Sequence, residues 1–496
     1  MNKATYVHKI RICVYVICAV FYFWMAAQIP YTHDDWDWGL PVGIQQLISA
    51  NINSRYVGNF FVVVMTRSEV IKTFVMGLGY WLIPFLLTEF AMRETSVPSD
   101  MNRLMCFLLC NVLLLTMDRH IWQQTYGWVA GYANFVISAI FMIIVIQKIL
   151  RVFDNMEIVQ DSAKKILMWG CIGFVSQLFL ENIALLLFVL SVCAFAYFYH
   201  KNGCVSFSYL GLAAGTSVGL FVLFGSGIYR ELWNSGSAVD GYRQVFINSE
   251  MNIYTGLARC LEQCTVMPAR IWGNNIEISS MIILLLSGCM FKVSEKTKYV
   301  FLALNAIVLA FFVFDYWYGL PVGFAVNLLV NVIYFLLVAA EAVFLFRDNP
   351  VITRKLLVLW TCAPAVIAPL IVTTETGARL FFTSNVLIIF VTAMLFVKVV
   401  NYIPQSVLGL LQAGILIVAV CVYIHCGEIY YDIGLWKSRR DTVISRAIAA
   451  DADYISLPRF PHEEYLWIPD PASEQRMIFF KQFYGIAQNV TVEFGK

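Results

Sequence analysis

The chain predicts an all-α polytopic membrane protein: a bundle of about thirteen transmembrane helices, with its loops and a small C-terminal segment gathered on one face. Composition is the first reason, since 60% of the 496 residues are hydrophobic and only 13% are charged. The mean hydropathy of +0.72 agrees. Length is the second: apolar runs of about 18–22 residues recur, enough to cross a hydrocarbon layer at 1.5 Å per residue. The third is position, because charge collects between the runs. No water-soluble fold of this size is so poor in charge, and a net charge of +2 offers nucleic acid no basic surface.

Taken in order, the apolar cores fall at 12–29, 71–91, 103–117, 131–150, 165–179, 183–199, 205–225, 276–291, 299–317, 323–345, 355–373, 380–398 and 406–424. The first follows a basic start (Lys3, Lys9, Arg11) and has no small-residue cleavage site before Pro30. It reads as an uncleaved signal anchor. The core 165–179 is short, and the run from Phe60 to Thr66 reads as a surface helix. Residues 1–424 therefore form a transmembrane domain with two notable outer loops, 30–70 and 226–275. Residues 425–496 turn charged and aromatic and form a small outer segment, too short for a large core of its own.

Most cysteines lie inside these cores and act as small apolar fillers. Cys260 and Cys264 share an outer loop, but four residues along a helix give poor disulfide geometry. No paired His or Cys pattern suggests zinc.

Lysine sets the orientation. Of the twelve lysines before residue 425, eleven fall in segments assigned to one side and only Lys72 does not. The positive-inside rule makes that side cytoplasmic, with the N-terminus inside and the C-terminus outside. Arginine behaves differently: Arg55, Arg67, Arg119, Arg230, Arg243, Arg259, Arg270 and Arg379 all fall outside. A planar guanidinium grips phosphate with two parallel hydrogen bonds, so it suits an anion site at a membrane face. Pairing with outer acids is the competing explanation for most of them. Arg230 and Arg379 sit close to span ends, near lipid headgroups.

The most informative stretch is His33-Asp34-Asp35-Trp36-Asp37-Trp38, directly behind the first span. Three clustered acids repel one another at a membrane edge, which a chain tolerates where a carboxylate takes a proton or holds a cation. The bland alternative is an acidic helix cap. Further outer segments are Asn51-Ile52-Asn53-Ser54-Arg55, the run from Trp122 through Gly127, Trp128, Gly131 and Tyr132 to Asn134 and Phe135, and Leu180-Glu181-Asn182. The last two are Gly225-Ser226-Gly227-Ile228-Tyr229-Arg230 and Thr373 to Arg379. A carboxylate base, arginines for a leaving phosphate and aromatic faces for sugar rings are the parts needed to move a sugar from an anionic lipid. Each has a structural alternative. Gly127 and Gly131 permit close approach, Trp122 and Trp128 suit an interfacial belt, and Glu181 suits a helix N-terminus. His33 beside acids is more often a partner than a catalyst. Asn489-Val490-Thr491 spells a glycosylation triplet that is common by chance.

Taken together, these pieces resemble the GT-C superfamily of membrane glycosyltransferases, in particular the bacterial serotype-converting glucosyltransferases that decorate O-antigen. The matching residues are Asp34-Asp35 after the first span, the segment ending at Arg55, Trp128 to Phe135, Glu181-Asn182, Arg230 and Arg379. This chain departs from the pattern at Gly225-Ser226-Gly227, where related segments carry proline. The resemblance implies a GT-C-like bundle in the bacterial inner membrane, with the site on the periplasmic side. It implies a polyprenyl-phosphate sugar donor, such as undecaprenyl phosphate glucose, and a lipopolysaccharide O-antigen or other envelope glycan as acceptor. Asp34 or Asp35 would be the base. Arg55, Arg230 and Arg379 would bind the donor phosphate, and Trp36, Asp37, Trp122, Trp128, Tyr132, Asn134 and Glu181 would meet substrate. No cofactor is implied; Asp37 is the residue that would ligate a divalent cation if one were used. A flippase of lipid-linked glycans and an O-antigen polymerase are the alternatives. The former predicts mid-membrane acids and repeated halves.

Overall fold

The computed structural model describes residues 3–95, 99–154, 162–239, 243–245, 252–289, 293–319, 322–373 and 376–495. A helix stands at each of the thirteen apolar cores. Ten helices among the described residues are long and apolar enough to cross a membrane, or eleven if one bent pair counts as a span. That pair is Asp100–Leu115 with Arg119–Thr125, which turn 91° to each other. The expected count of thirteen is therefore not reached on length alone: Ala163–Gln177 has 15 residues and Ile276–Cys289 has 14.

Short as it is, Ala163–Gln177 packs tightly on Phe207–Phe224. A Cβ added at Gly215 would lie 2.1 Å from the Gly170 carbonyl oxygen, so the two backbones touch as small-residue membrane helices do. The centre of the bundle is formed by Val129–Phe153 and Ala378–Val400, whose most apolar windows are 83% and 94% buried. The helix Glu69–Thr95 packs on both.

The ends of these helices sort by charge. At one end Lys355 pairs with Glu94 and Asp154, Lys201 donates to the Asp154 carbonyl, and Arg11 pairs with Asp100. Trp128 and Asp154 flank opposite ends of the same 25-residue helix, so the acidic loop lies about 37 Å from that lysine cluster. Lys72, the exception to the lysine rule, is wholly buried and donates to the Ile29 carbonyl and to Glu69. It closes the end of the first helix and offers no charge to a membrane surface.

The loop 30–70 folds into three short helices, Asp35–Gly39, Pro41–Ser49 and Tyr56–Met65, the last covering the surface-helix run. The loop 226–275 contains Gly227–Ser235, a two-residue hairpin pairing Ser237–Ala238 with Arg243–Gln244, and the helix Ile253–Gly273. Cys260 and Cys264 lie on that helix and are both free.

The last span does not stop near residue 424. The helix Gln405–Ala449 runs 45 residues without a break, about 67 Å, more than twice the hydrocarbon thickness. Composition changes within it while the backbone does not. Beyond it, Tyr454–Pro458 pairs in parallel with Thr491–Gly495, and the crossover between them carries the helix Glu474–Tyr484. The small core here comprises Ile444, Ile455, Leu457, Phe480, Ile486, Val490 and Val492 together with Trp36 from the first loop. The segment completes its core by borrowing that indole.

Candidate functional site

The first helix ends at Gln28, and the chain turns through Pro30 and a left-handed His33 (φ 52°) into the short helix Asp35–Gly39. Successive residues of a helix point about 100° apart, so the three acids diverge to three sets of partners.

Asp35 is wholly buried. Its Oδ2 accepts the Thr32 N–H at 2.9 Å and its Oδ1 accepts the Ala130 N–H at 2.9 Å. Ala130 belongs to the first turn of the central helix, so Asp35 caps that helix at the positive end of its dipole. Burial, with the Asp34 charge adding to it, pushes the Asp35 carboxyl well above the usual range against the pull of those N–H groups. Asp37 is 5% exposed and accepts from Arg476 Nη1 at 2.5 Å. Burial raises its carboxyl to about 6, assisted by Asp34 and opposed by Arg476.

Asp34 differs. Its side chain keeps 21% exposure, its Oδ1 accepts the Trp128 indole N–H at 3.0 Å, and the same oxygen lies 3.6 Å from His33 Nδ1. Burial acts to raise it, but His33, Arg476 and the Trp128 N–H together outweigh burial and hold the carboxyl below its usual value. Asp34 is therefore ionised at neutral pH. Its Oδ2 accepts no hydrogen bond among the described residues.

Trp128 organises the rest. The Arg379 guanidinium lies 5.7 Å from its ring centroid, a cation–π distance, and the Arg379 N–H and Nη1 both donate to Gln124 Oε1, at 3.4 and 3.2 Å. His33 meets Trp128 edge-on at 5.9 Å, and Trp467 stands 6.1 Å from each of them. A carboxylate and a guanidinium thus share one indole. Gly127 allows the C-terminal segment to come this close: a Cβ there would lie 1.8 Å from the Tyr465 carbonyl oxygen.

A second cluster flanks the same turn. Arg55 holds Glu181 in a forked ion pair, Nη2 to Oε2 at 2.8 Å and Nε to both oxygens at 3.2 Å, and Tyr229 donates to Oε1 at 2.5 Å. Glu181 also opens the helix Glu181–Asn202, where an acid is favoured. Gly58 presses on Asn134, whose Oδ1 is buried without a partner among the described residues and whose Nδ2 donates to the Ala130 carbonyl at 3.0 Å. Asn134 stands in a π-helical turn, Tyr132–Val136, a distortion that often marks functional sites.

The structure thus brings Asp34, Trp128 and Arg379 together, and joins Arg55 to Glu181. Arg230 is not gathered in: it is exposed on Gly227–Ser235 and forms no ion pair among the described residues. Glu375, in the segment expected to lead into Arg379, lies outside the described residues. Three expected substrate contacts are core residues. Trp36 donates to the Tyr31 carbonyl, Trp122 to the Tyr430 hydroxyl and Tyr132 to the Met76 carbonyl, and they are 0%, 1% and 0% exposed. Their polar tips are satisfied by protein, and their rings have no open face for a sugar.

Sequence reasoning did not single out Trp467 or Arg476, and it took in Gln124 and Tyr229 only as members of longer runs. Arg476 and Asp37 are 439 positions apart, a separation no local pattern bridges. Among the described residues no group of three or more His, Cys, Asp or Glu is placed to hold a metal ion. Asp35 and Asp37 turn away from Asp34 to the Ala130 N–H and to Arg476, leaving no convergent oxygens. No protein-family model matches the chain, and no curated protein and no solved structure matches it.

Proposed function

We propose that this protein is an inverting membrane glycosyltransferase of the GT-C type, moving a sugar, glucose in the first instance, from a polyprenyl-phosphate donor to O-antigen or another envelope glycan. The observation that carries this reading is Asp34: an ionised carboxylate with one uncommitted oxygen, held on the same indole as Arg379. In the proposed reaction Asp34 accepts the proton of the acceptor hydroxyl as its oxygen attacks the anomeric carbon. The bond from that carbon to the phosphate oxygen breaks, and the lipid phosphate departs with the electron pair against Arg379. The proton leaves late, once the forming C–O bond has made the hydroxyl acidic, so a carboxylate of low basicity serves. Asp35 positions the loop, and Asp37 ties it to the C-terminal segment.

The test is direct. Purified protein in detergent, given synthetic polyprenyl-phosphate sugars and candidate glycans, is expected to yield transfer products by mass spectrometry. Absence of transfer from every such donor would remove the proposal.

Arg379→Lys should weaken donor binding nearly as much as Arg379→Ala, because a point charge supplies neither the fork nor the flat contact with Trp128. Binding of a radiolabelled donor reads this. A lysine variant with wild-type affinity would reduce Arg379 to a structural contact.

The proposed site faces the periplasm, following the lysine partition. In a cysteine-free background, an impermeant thiol reagent on intact spheroplasts should tag a cysteine placed at 470 and not one at 295. The reverse pattern would overturn the orientation.

A transport reading draws on one observation. Glu341 is buried within the apolar helix Phe324–Leu345, accepts a hydrogen bond from Asn305, and has its second oxygen unpartnered among the described residues. A proton relay needs a chain of such groups. Among the described residues Glu341 is bonded to Asn305 alone, and Glu89 in another span is tied to Arg103, which favours transfer chemistry over transport.

A further inference from the structure

The aromatic wall beside Asp34 comes from the far end of the chain. We infer that Trp467 binds the donor sugar: the C-terminal segment lays its indole next to Asp34, and a pyranose ring stacks on it. This rests on the glycosyltransferase reading and adds the group that recognises the sugar. One face of a pyranose is lined by C–H bonds, so it is apolar and fits an indole, while its hydroxyls stay at the rim.

Four observations support the assignment. Trp467 stands 6.1 Å from both Trp128 and His33, the two rings that touch Asp34. Trp128 is only 7% exposed, enclosed by His33, Arg379 and Trp467, whereas Trp467 itself is half-buried and retains an open portion. The backbone around it is held in an unfavourable shape: His462 (φ 55°) and Ile468 (φ 42°) bracket the segment, and His33 (φ 52°) lies opposite. A β-branched residue before a proline resists the left-handed region twice over, and such strain persists where surrounding contacts impose it, commonly at functional sites. Those contacts are present. Arg440 donates to Asp470 at 2.7 Å and to the Pro458 carbonyl at 2.6 Å, Arg119 lies over Tyr465, and Arg476 holds Asp37. The segment is fixed on both sides of Trp467, so its indole is presented at a set position rather than swept through solvent.

The experiment uses the full chain in a sugar-free detergent and two equilibrium-binding probes. One is a short-chain prenyl phosphate bearing glucose, galactose or N-acetylglucosamine, whichever wild type binds most tightly; the other is the same prenyl phosphate without sugar. Wild type should prefer the sugar-bearing probe. Trp467→Leu fills the space without a π face and should lose that preference by roughly tenfold, with binding of the sugar-free probe unchanged. Trp467→Phe should keep most of it. A leucine variant that retains the wild-type preference overturns the assignment while leaving the glycosyltransferase reading intact. Equal losses in the phenylalanine and leucine variants also overturn it, since a stacking contact tolerates the aromatic swap. A wild-type protein indifferent to the sugar overturns the donor reading itself.

Discussion

Asp34→Asn should abolish sugar transfer while leaving the protein folded. A positioned base contributes typically about 10²–10⁴-fold to rate, and asparagine removes the basicity while keeping size and shape. Its Oδ1 still accepts the Trp128 indole N–H, so the loop has no reason to move. Expression, melting temperature and donor binding should stay near wild type while turnover falls. Asp37→Asn should do far less, because Asp37 is engaged by Arg476 and is nearly closed to solvent. The wild-type pH–rate profile offers a second check. With its carboxyl held below the usual value, Asp34 remains ionised as pH falls, so its acid limb should appear only below the ordinary carboxylate value of about 3.9. A limb near neutrality that persists in Asp37→Asn, or full activity in Asp34→Asn, would assign the proton transfer elsewhere.

Asp35→Asn is expected to fail for a different reason. Its two oxygens each accept a backbone N–H, from Thr32 and from Ala130. Asparagine has one acceptor oxygen, so one buried N–H would face an NH₂ group with nothing between them. An unsatisfied buried donor costs about 1–3 kcal/mol, and here the cost falls on the junction between the acidic loop and the central helix. Melting temperature and yield should drop together, with activity falling in proportion to the folded fraction. An Asp35→Asn protein that melts like wild type would show that the carboxylate is no clamp. The adjacent acids are thus separable: one variant loses chemistry on an intact scaffold, and the other loses scaffold.

The helices were readable because the physics that makes them is local. A run of about twenty apolar residues has one stable state in a bilayer. The end of the last helix was not readable by the same rule, since charge enters at Glu428, Asp432 and Lys437 while the backbone runs on to Ala449. The acidic loop stood out as a candidate site because crowded acids at a membrane edge are costly. Which acid keeps an open oxygen was not, since that depends on Ala130, Trp128 and Arg476, distant in sequence. Trp36 shows the limit most clearly. Among three acids it reads as a substrate contact, yet a core formed by residues 444–492 encloses it. The outer arginines divided for a related reason: Arg379 is turned inward by Gln124 and Trp128, while Arg230 is exposed on a short helix and has no such neighbours among the described residues.

The unbroken helix Gln405–Ala449 gives the molecule an internal ruler. Each residue advances it by about 1.5 Å and rotates everything beyond by about 100°. Whatever follows Ala449, including the indole at 467 and the guanidinium at 476, therefore inherits its bearing from a residue count made inside the membrane. Removing a single residue from the stem would swing those groups round the helix axis, out of line with Asp34 and Asp37, while shortening it by little. Removing seven, close to two full turns, would restore the bearing but lower the groups by about 10 Å. Phase and reach cannot both be regained by any deletion, so the length of this stem is itself part of the proposed site.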